Sequence, residues 1–139
     1  MADPRPGEGA PAALADAMPF ARLAGIAITS ATPEEVVGKL EWAPERCTAG
    51  GLLHGGAIMA LADSVGGLVA FLNLPDGAAG TATLSSATQF TRGVRSGTAT
   101  ATGHPIHRGR TTIVVETNVR DEAGELVARV TQTQAVLTS

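Results

Sequence analysis

The sequence has no tyrosine, one tryptophan and three phenylalanines, and its single cysteine is Cys47. A single cysteine excludes a disulfide within the chain, so a reducing, cytoplasmic environment is the expected location. Because aromatic residues are scarce, the interior must be built mainly from Ala, Val, Leu and Gly. Such small side chains allow backbone segments to approach each other closely.

The sequence also lacks the features that direct a chain into or across a membrane. No basic stretch leads into an apolar one near the N-terminus, so no secretory signal is predicted. The longest uncharged runs, 47–62 and 64–75, are separated by Asp63 and contain several glycines, which is not typical of a membrane span. With a net charge of −3, the chain is not expected to bind nucleic acid.

Acidic residues are absent between Asp76 and Glu116. The same interval contains four arginines, which are Arg92, Arg95, Arg108 and Arg110. A locally basic segment in an acidic protein is typical of a site for an anionic ligand. The alternative, arginines that are simply solvated at strand ends, stays open at this point.

The spacing of apolar residues divides the chain into a lead-in and one domain. Residues 1–11 are rich in proline and glycine and are predicted to be disordered, whereas residues 12–139 are predicted to fold as a single domain. A helical segment interrupted near Pro19 precedes two strands, 26–32 and 36–42, and a long apolar helix follows and ends near Asn73. Four more strands are predicted at Gly80 to Phe90, Gly97 to Thr102, Thr111 to Arg120 and Glu125 to Leu137. This order predicts an α+β fold, an antiparallel sheet with one helix against its face.

The long helix begins at a His54-Gly55-Gly56 turn and carries one charged residue, Asp63. Its apolar face is formed by Ile58, Leu61, Val65, Leu68 and Leu72. Asp63 lies on a second face made mostly of small residues, including Gly66 and Gly67. A charge among apolar neighbours is costly unless it is paired or used, so Asp63 is the candidate functional residue.

The motifs within this order resemble one known family. Leu-Leu-His-Gly-Gly-Ala opens the helix at residues 52–57, Leu-Ala-Asp-Ser follows at 61–64, and Asp-Glu-Ala-Gly-Glu-Leu-Val-Ala stands at 121–128. Over about residues 19–138 the chain resembles the hotdog-fold acyl-CoA thioesterases, in particular the phenylacetate-degradation and 4-hydroxybenzoyl-CoA thioesterase group. The resemblance implies a hotdog fold, hydrolysis of a small or aromatic acyl-CoA, and no cofactor besides the coenzyme A of the substrate. It also implies a homodimer with shared active sites, often paired into a homotetramer.

The resemblance also assigns roles to individual residues. Gly55 is the implied oxyanion donor and Asp63 the implied catalytic carboxylate, while His54 fixes the start of the helix. The implied substrate-binding residues are Thr48, Gly56, Thr83, Arg92, Arg108, Gly109 and Arg110. Relatives often have Asn or Gln, which orients the attacking water, where this chain has Thr48, and Arg-Pro where it has Arg92-Gly93.

Spacing along the helix adds a constraint of its own. Asp63 lies eight residues beyond Gly55, which is about 12 Å at 1.5 Å per residue. Two groups that act on one thioester must both lie within about 3.5 Å of the reacting atoms. If both act, Asp63 must come from a neighbouring subunit whose helix runs antiparallel across a twofold axis. The small residues around Asp63 would then let that subunit and the substrate come close.

Several alternatives stay open from the sequence. Asp63 is either a nucleophile, a general base or a structural acid, and the protein is either an enzyme or an acyl-CoA or aromatic-ligand binding protein on the same fold. A hotdog dehydratase or hydratase requires a His paired with an acid in a different pattern, which is not found. Cys47 is interpreted as a structural cysteine, and no metal site is predicted because an odd separation on a strand places His104 and His107 on opposite faces.

Overall fold

The computed structural model describes residues 10–138 of the 139-residue chain. Two short helices, α1 (Ala10–Asp16) and α2 (Pro19–Ala24), precede the strands β1 (Ala27–Ala31) and β2 (Val36–Glu41). A 3₁₀ turn, Pro44–Arg46, leads to the long helix α3 (Gly55–Leu72). The remaining strands are β3 (Ala78–Phe90), β4 (Thr98–Arg108), β5 (Thr112–Arg120) and β6 (Leu126–Thr138).

The six strands form one sheet in the order β1-β2-β4-β5-β6-β3, and every neighbouring pair is antiparallel. β6 therefore lies between β5 and β3, although it follows both in the sequence. Strand β3 occupies an edge of the sheet and most of its residues are exposed. The α3 helix packs against one face of the sheet, which is the hotdog arrangement predicted from the sequence.

Two glycines of the sheet allow α3 to approach it closely. A Cβ on Gly38 of β2 would lie 2.7 Å from a Val65 methyl group, and one on Gly103 of β4 would lie 2.8 Å from the other. Val65 itself is fully buried. The scarcity of large side chains therefore has a structural use, since the helix rests almost directly on the strand backbones.

The predicted elements are largely confirmed. The predicted α3 face is buried in four of its five positions, and Leu72, the fifth, is partly buried. The predicted lead-in, residues 1–11, lies outside the described residues except for Ala10 and Pro11, which belong to α1.

The predicted end of the fourth strand at Thr102 is wrong, because β4 continues to Arg108. Gly103 and Pro105 interrupt the local strand pattern and led to the short prediction. Proline is nevertheless tolerated there, because the pairing of β4 with β2 ends at Gly103 and a bulge follows Pro105 on the β5 side.

Among the described residues, α3 is the helix with the length and apolarity of a membrane span, with a mean hydropathy of 1.7. Its apolar side chains pack against the sheet of the same chain. This is the behaviour of the core helix of a domain.

Candidate active site

The first turn of α3 presents one backbone N–H that has no partner. His54 is the N-cap, and its ring Nδ1 accepts a 2.8 Å hydrogen bond from the N–H of Gly56. Within residues 10–138, no hydrogen bond uses the N–H of Gly55. The two glycines of the motif are therefore not equivalent, because Gly56 completes the cap and Gly55 retains a donor at the positive end of the helix.

Both glycines have a side-chain ring close to the position that a Cβ would occupy. A Cβ on Gly56 would lie 2.9 Å from the His54 ring nitrogen and would disturb the cap. A Cβ on Gly55 would lie 3.3 Å from the ring of Phe90, at the end of β3. The half-exposed Phe90 ring thus forms a wall beside the free Gly55 amide, a contact that the sequence pattern did not predict.

The loop before α3 is held from several sides. The indole N–H of Trp42 donates to the carbonyl of Gly51 at 3.0 Å, and the guanidinium of Arg46 donates to the carbonyls of Ala24 and Glu41. The N–H of His54 in turn donates to the carbonyl of Arg46 at 2.8 Å. These contacts fix the direction in which the helix begins.

Asp63 lies on the exposed face of α3 and has one hydrogen-bond partner among residues 10–138. The side-chain amide of Gln132, on β6, donates a 3.1 Å hydrogen bond to its Oδ1. Burial raises the pKa of Asp63 above its ordinary value, and the Gln132 hydrogen bond acts in the opposite, smaller sense. The side chain is exposed at the surface of the single chain, yet the atoms packed around the carboxylate still displace enough water to raise its pKa.

The Gln132 amide belongs to a short polar chain below the helix. Gln134 donates to the side-chain oxygen of Gln132 at 3.1 Å and to the hydroxyl of Thr83 at 2.7 Å. Thr83, an expected site residue, is thereby connected to Asp63 through two glutamines. Both glutamines are 1% exposed and were missed in the sequence, although their alternation with Thr131 and Thr133 places polar residues at core positions of β6.

Thr48 makes its hydrogen bonds within its own loop. Its hydroxyl accepts a 3.4 Å hydrogen bond from the N–H of Gly50, and its carbonyl accepts one from Gly51, so the residue closes a tight turn. In the described part of the chain no hydrogen bond joins Thr48 to Gly55 or Asp63.

The arginines of the basic segment form two separate groups. Arg92 lies 4.0 Å from the carboxylate of Glu125, and with Arg95 it lines a cleft of about 490 Å³ that also contains Asp121 and Glu122. The turn Arg108-Gly109-Arg110 lies at the opposite end of β5, whose nine residues span about 30 Å. A single chain therefore does not gather the four arginines around one anion.

The other reactive side chains have structural partners. The Cys47 thiol donates to the carbonyl of Ala43 at 3.2 Å. A ring nitrogen of His104 lies 3.1 Å from the carbonyl oxygen of Glu34, and the other lies 3.6 Å from the Glu35 carboxylate. His104 and His107 were expected on opposite faces of the strand, but the bulge after Pro105 interrupts the alternation on which that expectation rests. Within residues 10–138 no group of three potential metal ligands is present.

The chain is similar to known thioesterases. The family model described as Thioesterase superfamily matches residues 50–128. The crystal structure of a mutant of thioesterase PA1618 from Pseudomonas aeruginosa superposes with a TM-score of 0.86 at 28% identity and covers 95% of this chain and 94% of the other. Thioesterase HI1161 from Haemophilus influenzae superposes with a TM-score of 0.85 at 27% identity, with 95% and 91% covered.

The predicted subgroup is represented among the similar structures as well. A point mutant of the phenylacetic acid degradation protein PaaI from Thermus thermophilus has a TM-score of 0.78 at 28% identity, and 86% of this chain and 99% of that chain are covered. Because the two thioesterases named above match at least as well, assignment to the phenylacetate-degradation group stays a prediction.

Proposed function

The chain belongs to the thioesterase superfamily, and from this we propose that it hydrolyses the thioester of a small or aromatic acyl-CoA to the free acid and coenzyme A. The observation that carries the proposal is the free N–H of Gly55 at the positive end of an 18-residue helix. A thioester carbonyl placed there is polarised, and negative charge that develops on its oxygen is stabilised.

Asp63 supplies the second half of the proposed chemistry. As the only charged residue of α3, it either attacks the carbonyl carbon through its carboxylate or removes a proton from the attacking water. Both roles require the ionised form. The hydrogen bond from Gln132 favours that form, whereas burial opposes it.

Because Gly55 and Asp63 belong to one continuous helix, about 12 Å of its length separates them, and we propose a homodimer in which each site combines the two residues from different subunits. The surface around them supports this assembly. Met59 and Phe71 are exposed on the same helix, and Leu84, on the edge strand β3, is 65% exposed. Exposed apolar residues beside an unpaired strand edge are typical of an interface. Pairing of two dimers into a homotetramer, in the cytoplasm, completes the proposal.

An antiparallel pair also brings the two basic groups together. Arg92 lies two residues beyond Phe90, at the Gly55 end of the helix. Arg108 lies at the Asp63 end instead. It pairs with Ile113, and Ile113 lies opposite Gln134, which is connected to Asp63 through Gln132. A twofold axis between the half-sites therefore carries the Arg108-Gly109-Arg110 turn of the second copy towards Arg92 of the first. The phosphates of coenzyme A are the proposed ligand of this combined surface.

Replacement of Asp63 tests the proposed function. Asp63→Ala is expected to abolish hydrolysis in a panel of phenylacetyl-, benzoyl-, short-chain and long-chain CoA thioesters while acyl-CoA binding is retained. Asp76→Ala, an exposed acid in the loop after α3, is the matched control and keeps full activity. Full turnover by folded Asp63→Ala contradicts the assignment.

A non-catalytic acyl-CoA or aromatic-ligand binding protein is the alternative, and one observation favours it. Thr48 is held in a tight turn and its side chain has no amide group. This chain therefore lacks, at that position, the Asn or Gln that orients the attacking water in relatives. The same panel separates the two functions, because a binding protein leaves the thioester intact even when titration shows that acyl-CoA binds.

A further inference from the structure

Two glutamines occupy positions where the sheet requires apolar side chains. Gln132 and Gln134 continue the inward face of β6 that begins with Ala128 and Val130, and both are almost fully buried. A buried amide without partners costs about 1–3 kcal/mol per group, so such residues are retained only where their hydrogen bonds are satisfied or used. Here the bonds lead to one destination, the Asp63 carboxylate.

The network fixes the direction in which each amide points. Gln134 donates through Nε2 to Oε1 of Gln132, so Oε1 faces Gln134 and Nε2 of Gln132 must face Asp63. The hydroxyl of Thr83 accepts the second N–H of Gln134 and keeps that amide in place. The bonds from Gln134 to Gln132 and from Gln132 to Asp63 therefore run in one direction towards the carboxylate, and hydrogen bonds arranged in this way reinforce one another.

The helix leaves room for this contact. Gly66 lies one turn beyond Asp63, and a Cβ there would lie 2.8 Å from the side-chain carbonyl carbon of Gln132. Any residue larger than glycine at position 66 would displace the amide that reaches Asp63. Gly66 in the helix and Gln132 in the strand are therefore both needed for the hydrogen bond to Asp63.

We propose that Gln132 is a positioning residue that holds Asp63 ionised and in one orientation, and that Gln134 and Thr83 fix the Gln132 amide for this purpose. The inference rests on the proposed function, because the orientation matters for catalysis only if Asp63 is the catalytic carboxylate.

No other ionisable group in the described chain competes for this role. Asp63 is the only charged residue of α3, and β3 contains none. On β6, Arg129 donates to Asn118 on the outer face, and on β5, Glu116 alternates with the buried residues. The remaining ionisable residues of the elements packed against α3 are Arg22, Lys39, Glu41, His104, His107, Arg108 and Arg120, none of them buried.

The test compares Gln132→Met, which keeps the length of the side chain but removes the donor, with Thr133→Val, which alters the outward face of the same strand. In Gln132→Met the acid limb of the pH profile of kcat/KM is expected to move up by about one pH unit, so that at pH values below both limbs kcat/KM falls about tenfold with KM within about twofold. Gln132→Glu, which retains the shape but places a second carboxylate beside Asp63, is expected to shift the limb further. Thr133→Val leaves the profile unchanged.

A second measurement separates this proposal from the proposed function. The carboxyl carbon of Asp63 is titrated by NMR in each variant, whether or not the protein cleaves thioesters. A higher titration midpoint in Gln132→Met supports the role of Gln132, and an unchanged midpoint and acid limb in folded Gln132→Met and Gln132→Glu overturn it. Failure of the wild-type protein to cleave any thioester overturns the proposed function, and the titration alone then decides whether Gln132 controls the charge of Asp63.

Discussion

The Asp63 carboxylate is partly shielded from water, and this shielding raises its pKa above 3.8. The folded chain therefore binds the proton more tightly than the unfolded chain does. As the pH rises from below 3.8 through the folded-state pKa, ionisation of Asp63 reduces the stability of the fold. The ionised carboxylate that the proposed reaction needs therefore lowers the stability of the fold at neutral pH.

Replacing Asp63 by Asn is expected to raise the melting temperature at pH 7, because the partly shielded charge is removed while an oxygen remains for the Gln132 amide. The advantage should decrease as the pH falls and vanish near about pH 3, where Asp63 is protonated in both states. Thermal unfolding of both proteins from pH 3 to pH 8 measures the difference. An advantage that is the same at every pH would show that the charge of Asp63 is not its cause.

At this scale the sequence predicted the unusual residue but not its partner. Asp63 stood out because it interrupts an apolar helix, and His54, which the resemblance implied to fix the start of the helix, is its N-cap. Gln132 is 69 residues away from Asp63, and no local pattern relates the two positions. Phe90 was predicted as the last residue of a strand, but its contact with Gly55 depends on how β3 lies against the helix.

The α3 helix contains adjacent glycines with different surroundings. Gly66 is buried against Gln132, whereas a Cβ on Gly67 would have no neighbour within 4 Å. The sequence predicted that this small-residue face admits a second subunit. For Gly66 that interpretation is wrong, because Gln132 of the same chain occupies the space; for Gly67 it stays a prediction.

Gly66→Ala and Gly67→Ala form a matched pair for this element. Both gain up to about 1 kcal/mol of intrinsic helix stability. Gly66→Ala is nevertheless expected to be the less stable of the two by about 1–3 kcal/mol, because the buried Gln132 amide loses its partners. Denaturant unfolding of both variants measures the difference, and equal stability would mean that Gln132 can move aside without cost.

For the strands, the sequence was informative wherever one face is buried and the other is not. In β5, the alternating residues Ile113, Val115, Thr117 and Val119 are the buried ones. The extension of β4 through Pro105 depends on where β2 stops, which is a property of the assembled sheet. Local patterns therefore predicted which elements exist, and tertiary contacts decided how far they extend.

On the scale of the molecule, the two half-sites of α3 predict complementation between inactive chains. Gly55→Pro removes the free N–H but suits the first position of a helix, and His54 already has the extended backbone that precedes a proline. Gly55→Pro and Asp63→Ala should each be inactive alone. Mixed in equal amounts after subunit exchange, they should recover about a quarter of wild-type activity, since half of the dimers then contain one intact site.

The control for this mixture is Gly55→Ala, which keeps the N–H and places the same Cβ against Phe90. Gly55→Ala therefore separates the effect of losing the backbone N–H from the effect of crowding the Phe90 ring. Absence of recovery in exchanged dimers would contradict sites shared between subunits, while leaving the single-chain geometry unaffected.

The position of β6 between β5 and β3 has a consequence for synthesis on the ribosome. β3 emerges early, but its hydrogen-bonding neighbour is the last strand of the sheet to be translated. Until then the 13 residues of β3 have no partner along either edge, and Asp63 has no amide to hold it. The nascent chain can thus form α3 and most of the sheet before β6 is made. The sheet becomes continuous, and Asp63 gains its hydrogen bond from Gln132, only when β6 inserts between β5 and β3.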